Sequence, residues 1–137
     1  MAGNVPNSNI PTLGPEDILF IYFTGHGGHE YNNITSNDES FVFLSPPTDH
    51  LYSSELNQLL ENINCSQIIV MMNCCESGQF KDGLLEYSAN TRCKNRVIHT
   101  ATDMLNYAHT EMKMTNGHAE EFTWYWNAAA RGYYPVP

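Results

Sequence analysis

The sequence predicts an α/β fold, a three-layer α/β/α sandwich on a mostly parallel sheet. Two unbroken apolar runs, residues 18–23 (Ile-Leu-Phe-Ile-Tyr-Phe) and 68–72 (Ile-Ile-Val-Met-Met), each end in a polar motif that contains glycine. Between them Leu56, Leu59, Leu60 and Ile63 recur at the spacing of one helix face. Strand, helix, strand is the order of a parallel pair joined by a crossover, and a third run at 96–101 extends the sheet.

In chain order, residues 1–16 are polar and rich in Asn and Pro and read as a flexible leader. Residues 17–137 read as the core, one domain or part of one. The run at 18–23 has no polar alternation, which predicts a strand covered on both faces. It stops at Gly25-His26-Gly27-Gly28. The polar stretch 29–40 is expected to be a loop, and Phe41-Val42-Phe43-Leu44 before two prolines a short strand or hairpin arm. Ser53 and Ser54 are N-cap candidates for the leucine-patterned helix. The strand at 68–72 ends at Asn73-Cys74-Cys75-Glu76-Ser77-Gly78, and a short helix is expected around 83–87. A last helix is expected over 119–131, with Phe122, Trp126 and Ala129 on one side and Gly132 as its stop.

Composition narrows the partners. Six Lys plus Arg against fifteen Asp plus Glu give a formal charge of −9. Phosphate backbones and anionic lipid bind the opposite sign, so neither nucleic acid nor a membrane surface is expected as a partner. No run approaches the roughly 18 apolar residues of a membrane span. Residues 1–14 lack the basic start and apolar stretch of a secretory signal. Cys65, Cys74, Cys75 and Cys93 read as reduced thiols, since bonding the adjacent pair would strain the peptide between them, and this slightly favours the cytoplasm.

Functional groups of an open parallel sheet collect beyond the carboxyl ends of its strands. Both unusual motifs sit there, so neighbouring strands would bring His26 and Cys75 to one edge. A free thiol is mostly protonated at neutral pH, and a nucleophilic cysteine needs a base or cation beside it. His26 can serve, and can return the proton to a departing amine. Without a side chain at Gly27, backbone N–H groups there and at Cys75 can approach an oxygen that becomes negative.

These residues carry a family resemblance. Residues 18–28 resemble the His-Gly strand end of legumains, metacaspases and the catalytic subunit of the glycosylphosphatidylinositol transamidase. Asn73-Cys-Cys-Glu-Ser-Gly78 is similar to the legumain Glu-Ala-Cys-Glu-Ser-Gly motif, which aligns the nucleophile with Cys75 and not Cys74. The separation of His and Cys (75 − 26 = 49) also matches the about 50 residues of caspases. The resemblance implies a caspase-like fold and a cysteine endopeptidase that cuts protein or peptide substrates through a thioester, with no metal or organic cofactor. Catalytic roles fall on Cys75 and His26, the oxyanion hole on the backbone of Gly27 and Cys75, and the substrate pocket on Asn73, Glu76 and Asp103. Where legumains have Glu and metacaspases often Asp, this chain has neutral Asn73, which leaves the preferred substrate side chain open. The first strand–helix–strand unit of the fold has no counterpart in residues 1–16, which implies a further polypeptide segment that completes the domain.

Two alternatives stand beside this reading. An inactive caspase-like interaction domain would keep the fold and lose the pocket. A zinc-binding structural module could draw on His26 and His29 with Cys74, Cys75 or His50, although no helical Cys or His pair at ligand spacing supports it.

Overall fold

The apolar run after the leader becomes β1 (Ile18–Thr24), and the leucine-patterned stretch carries the chain to β5 (Gln67–Asn73) beside it. The structure is a computed structural model that describes residues 12–35, 37–45, 49–85, 95–103, 105–108, 112–114, 117–119 and 121–132. β1 pairs with β5 in parallel, and β5 with β6 (Arg96–Thr100), giving a parallel sheet of order β1-β5-β6. A second, antiparallel sheet contains β2 (Gly27–Asn32), β3 (Asn37–Ser45) and β4 (Asp49–Tyr52). The helices are α1 (Ser53–Glu61), α2 (Gly78–Leu85) and α3 (Glu121–Ala130), and β7 (Met112–Met114) pairs with β8 (Gly117–Ala119).

Strand pleating sorts the parallel sheet into two faces. Leu19, Ile21, Phe23, Ile68, Val70, Met72 and Ile98 point one way, into a core closed by Leu56 and Leu60 of α1 and Phe80 of α2. Phe80 is fully buried, which removes enough apolar area from water to contribute roughly 1.5–3 kcal/mol. The other face meets α3: the Trp126 ring lies 6.2 Å from Phe20 and 6.4 Å from His99. Helices on both sides of a parallel sheet make the α/β/α layering that the sequence predicts.

Six expectations need correction. β1 is not covered on both faces, because Ile18, Phe20 and Tyr22 alternate outward at 57%, 49% and 41% exposure. α3 shields that face in part, and among the described strands β1 has a neighbour on one side. The stretch 29–40 is no loop but most of a hairpin: β2 and β3 pair without interruption from Gly27–Val42 to Asn32–Asn37. Its Asn, Asp and Glu are poor strand formers that hide the period, while the Asn32 side chain accepts the Ile34 N–H (2.9 Å) and builds the turn.

Neither Ser53 nor Ser54 caps α1; the N-cap is Tyr52. The Glu39 carboxylate of β3 takes the capping role, accepting the Ser54 N–H (3.3 Å) and Ser53 hydroxyl (3.5 Å). Leu59 points away from the core and is 52% exposed, since it lies about 100° round the helix from the face of Ser53, Leu56, Asn57 and Leu60. α2 starts at Gly78, ahead of the expected 83–87, and residue 87 lies outside the described residues. α3 starts at Glu121, after β8, and Ala129 is exposed; Gly132 ends it as expected, with φ at 77°.

Candidate active site

The parallel register fixes where the two motifs leave the sheet. Thr24 pairs with Asn73, and the Gly25 N–H donates to the Asn73 carbonyl (3.3 Å), so β1 and β5 end side by side. On the other flank the Ala101 N–H bonds the Met72 carbonyl (3.0 Å). His26 is exposed at this carboxyl edge, and its carbonyl accepts the Phe43 N–H (3.1 Å), which starts the β2–β3 ladder immediately.

Gly27 is where the motifs meet. A Cβ built there would lie 2.7 Å from the Cys75 carbonyl oxygen, 2.9 Å from Cys74 Sγ and 3.0 Å from the Phe41 carbonyl oxygen. No larger residue fits without moving backbone. The glycine after the histidine is therefore a steric requirement for seating the hairpin on the cysteine turn.

The two adjacent cysteines have different surroundings. Cys74 is 1% exposed in the core, and its thiol is pushed up to about 12 by burial and then by neighbouring Cys75, with a Ser77 hydrogen bond pulling the other way. It stays a neutral thiol. Cys75 is half-buried at the turn, and Cys65, Cys74 and Cys75 are thiols in no disulfide; Cys93 lies outside the described residues.

Beyond Cys75 the chain turns sharply at Glu76, whose φ is 53°. Its carboxylate Oε2 accepts the His29 backbone N–H (2.8 Å) and faces the His29 ring Nδ1 at the same distance. Glu76, expected in the substrate pocket, is thus engaged by β2, with its side chain 14% exposed. Asn73 is buried under α3 and donates its amide to the Thr123 hydroxyl (3.0 Å), which also contacts the Tyr22 hydroxyl (2.8 Å). Asp103 is exposed and holds its own loop: the Leu105 N–H, then the Asn106 amide, keep its carboxyl below the usual carboxylate range. It lines an open cleft of about 590 Å³ with Gly78, Lys81 and Thr102, a lining that does not include Cys75 or His26.

Comparison with known proteins decides what family this arrangement belongs to. The model of the peptidase C13 family matches residues 4–122. The chain belongs to the peptidase C13 family. Over 81 residues this C13 chain is 32% identical to a vacuolar-processing enzyme of Vicia sativa, covering 56% of the chain and 14% of that protein. Over 88 residues it is 24% identical to the vacuolar-processing enzyme delta-isozyme of Arabidopsis thaliana, covering 61% of the chain and 16% of that protein. The C13 chain therefore spans about a sixth or less of the curated relatives it matches.

Residues outside the expected dyad and pocket surround the turn that carries Cys75. His29 and Ser40 reach Glu76 from the hairpin, the Asn106 carbonyl accepts the Glu76 N–H (2.8 Å), and Thr102 Oγ1 accepts the Ser77 N–H (3.2 Å). Of these the sequence singles out only His29, three positions after His26, and there as a ligand of the zinc alternative. Two of the three histidines of the zinc alternative are engaged otherwise: His29 pairs with Glu76, and His50 stacks on Phe41 with ring centroids 4.2 Å apart. Among the described residues no group of three or more His, Cys, Asp or Glu could hold a metal ion.

Proposed function

We propose that this C13 chain carries the catalytic dyad of a cysteine endopeptidase, with Cys75 as nucleophile and His26 as acid–base partner. The observation that carries the reading is Gly27, packed against the Cys75 carbonyl immediately after His26. The selective exposure of Cys75 over Cys74 supports it, because a core thiol at about 12 supplies neither access nor thiolate.

In this reading His26 takes the Cys75 proton and the sulfur attacks the scissile carbonyl. The oxygen becomes an oxyanion that the N–H groups of Gly27 and Cys75 receive. The bond from Phe43 N–H to the His26 carbonyl makes Gly27–Val42 a non-hydrogen-bonded pair of the ladder, so β3 does not use the Gly27 N–H. The amine leaves with the proton from His26, and water, deprotonated by His26, releases the acyl group from the thioester.

The substrate is a protein or peptide. Asn73 borders the pocket through its neutral amide, with Thr123 and Tyr22 beside it. A further polypeptide segment completes the domain along β1, whose outward Ile18, Phe20 and Tyr22 support this placement. In the longest natural version of the chain, iodoacetamide should label Cys75 rapidly, and peptide-library turnover should vanish in Cys75→Ala and His26→Ala variants that still melt cooperatively. Turnover that survives in either variant removes that residue from the mechanism. A folded protein with neither turnover nor His26-dependent labelling would instead be the inactive interaction domain.

A further inference from the structure

Glu76 is pinned from three directions. Its N–H donates to the Asn106 carbonyl, its carbonyl accepts the Ser40 hydroxyl, and its carboxylate takes two contacts from His29. A non-glycine residue at positive φ persists where its surroundings fix it, and these contacts do so. The residue so fixed directly follows Cys75, so its placement sets the direction of the Cys75 backbone and sulfur.

His29 has a distinct part in this arrangement. It stands three residues beyond His26 on β2, and it reaches one oxygen of Glu76 with both its N–H and its ring, each at 2.8 Å. A carboxylate offers only lone pairs, so Nδ1 must carry the proton and donate it. The contact is partly shielded, the side chains being 33% and 14% exposed, which strengthens a charge-assisted hydrogen bond relative to one in water. It is a side-chain tie between the strand that carries the His motif and the turn that carries the Cys motif.

We propose that His29 is a positioning residue: by clamping the Glu76 carboxylate it locks the left-handed turn that presents the Cys75 sulfur to His26. The inference rests on the Cys75–His26 reading above and adds to it the group that sets their relative placement. His29 itself touches neither substrate nor the reacting atoms.

The test is a mutant cycle on the longest natural chain, read by the second-order rate of Cys75 alkylation with iodoacetamide at neutral pH. Variants are His26→Ala, His29→Ala, His29→Asn and the His26→Ala/His29→Ala double variant, each checked by thermal melting. His29→Ala should slow alkylation on the order of tenfold, because small displacements of reacting groups are costly. His29→Asn should recover most of the rate, since its amide places an N–H donor near the position of Nδ1. In the His26→Ala background the His29 change should add nothing, the signature of two residues acting through one arrangement. Should His29→Ala not fold, Glu76→Ala takes its place, with the same slowing expected. Wild-type alkylation in His29→Ala, equal slowing on top of His26→Ala, or no recovery in His29→Asn would overturn the assignment of His29. Equal rates in the wild type and His26→Ala would overturn the dyad reading, and with it this inference, by a comparison that does not involve His29.

Discussion

Replacing Gly27 by alanine is the most direct challenge to the packing of the hairpin on the cysteine turn. The added methyl would lie 2.7 Å from the Cys75 carbonyl oxygen and 3.0 Å from that of Phe41, where ordinary contact starts at 3.4 Å. The first gap must open by 0.7 Å (3.4 − 2.7) and the second by 0.4 Å (3.4 − 3.0). Both neighbours are backbone, so no rotamer can yield, and β2 must lift away from the end of β5. Overpacking of this kind costs about 1–3 kcal/mol. A displacement approaching 1 Å at the reacting groups costs about 100-fold in rate. Urea unfolding should show the first effect and iodoacetamide labelling of Cys75 the second. Gly28→Ala is the control, because its methyl would meet the Phe41 ring (2.9 Å) and not the cysteine turn, so labelling of Cys75 should change little. Wild-type stability and labelling in Gly27→Ala would refute the close approach of the two motifs.

Three further outcomes are expected. Leu60→Ala should destabilise by about 2–5 kcal/mol in urea unfolding, and Leu59→Ala by less than about 0.5 kcal/mol, because Leu60 is 2% exposed and Leu59 52%. Equal losses would mean that the phase of α1 is wrong. Asn73→Ala should cost about 0.5–1.5 kcal/mol by removing the hydrogen bond from its amide to the Thr123 hydroxyl, and an unchanged melting temperature would contradict that contact. Cys74 gives stability a pH dependence. Its folded pKa of about 12 exceeds the free value of 9.0, so the unfolded chain loses this proton first. The contribution is complete below about 9 and is lost as pH climbs toward 12, by a few kcal/mol to order of magnitude. Tyr52, raised to about 12 mainly by its hydrogen bond to Glu30, acts in the same direction. Urea midpoints from pH 8 to 11 should fall more steeply in the wild type than in Cys74→Ala, and parallel slopes would refute the assignment.

The parallel sheet was legible because β1 and β5 are rich in apolar residues and end at motifs that interrupt the pattern, while Val97 and Ile98 mark the shorter β6. The meeting of those motifs followed from strand order. What escaped reading was written in polar residues. Asn32, Glu39 and Ser40 are buried in a hairpin, yet they have the composition of a loop, and only cross-strand pairing reveals their environment. The capping role of Glu39 and the clamp of His29 on Glu76 join residues 15 and 47 positions apart, and no local spacing rule encodes such pairs. Leu59 was misplaced for a different reason: a leucine repeat specifies an apolar stripe but not which side of it the core occupies.

Glu39 sits on a strand but closes the first turn of a helix, and this couples two units that could otherwise open separately. If β3 peels from its partners, α1 loses the acceptor for the Ser54 N–H and starts to fray, while a frayed α1 leaves the buried Glu39 carboxylate with the Thr35 hydroxyl on Oε1 but without the donors of α1 on Oε2. The hairpin and the helix should consequently open together, and their slowest-exchanging amides should report a single opening free energy.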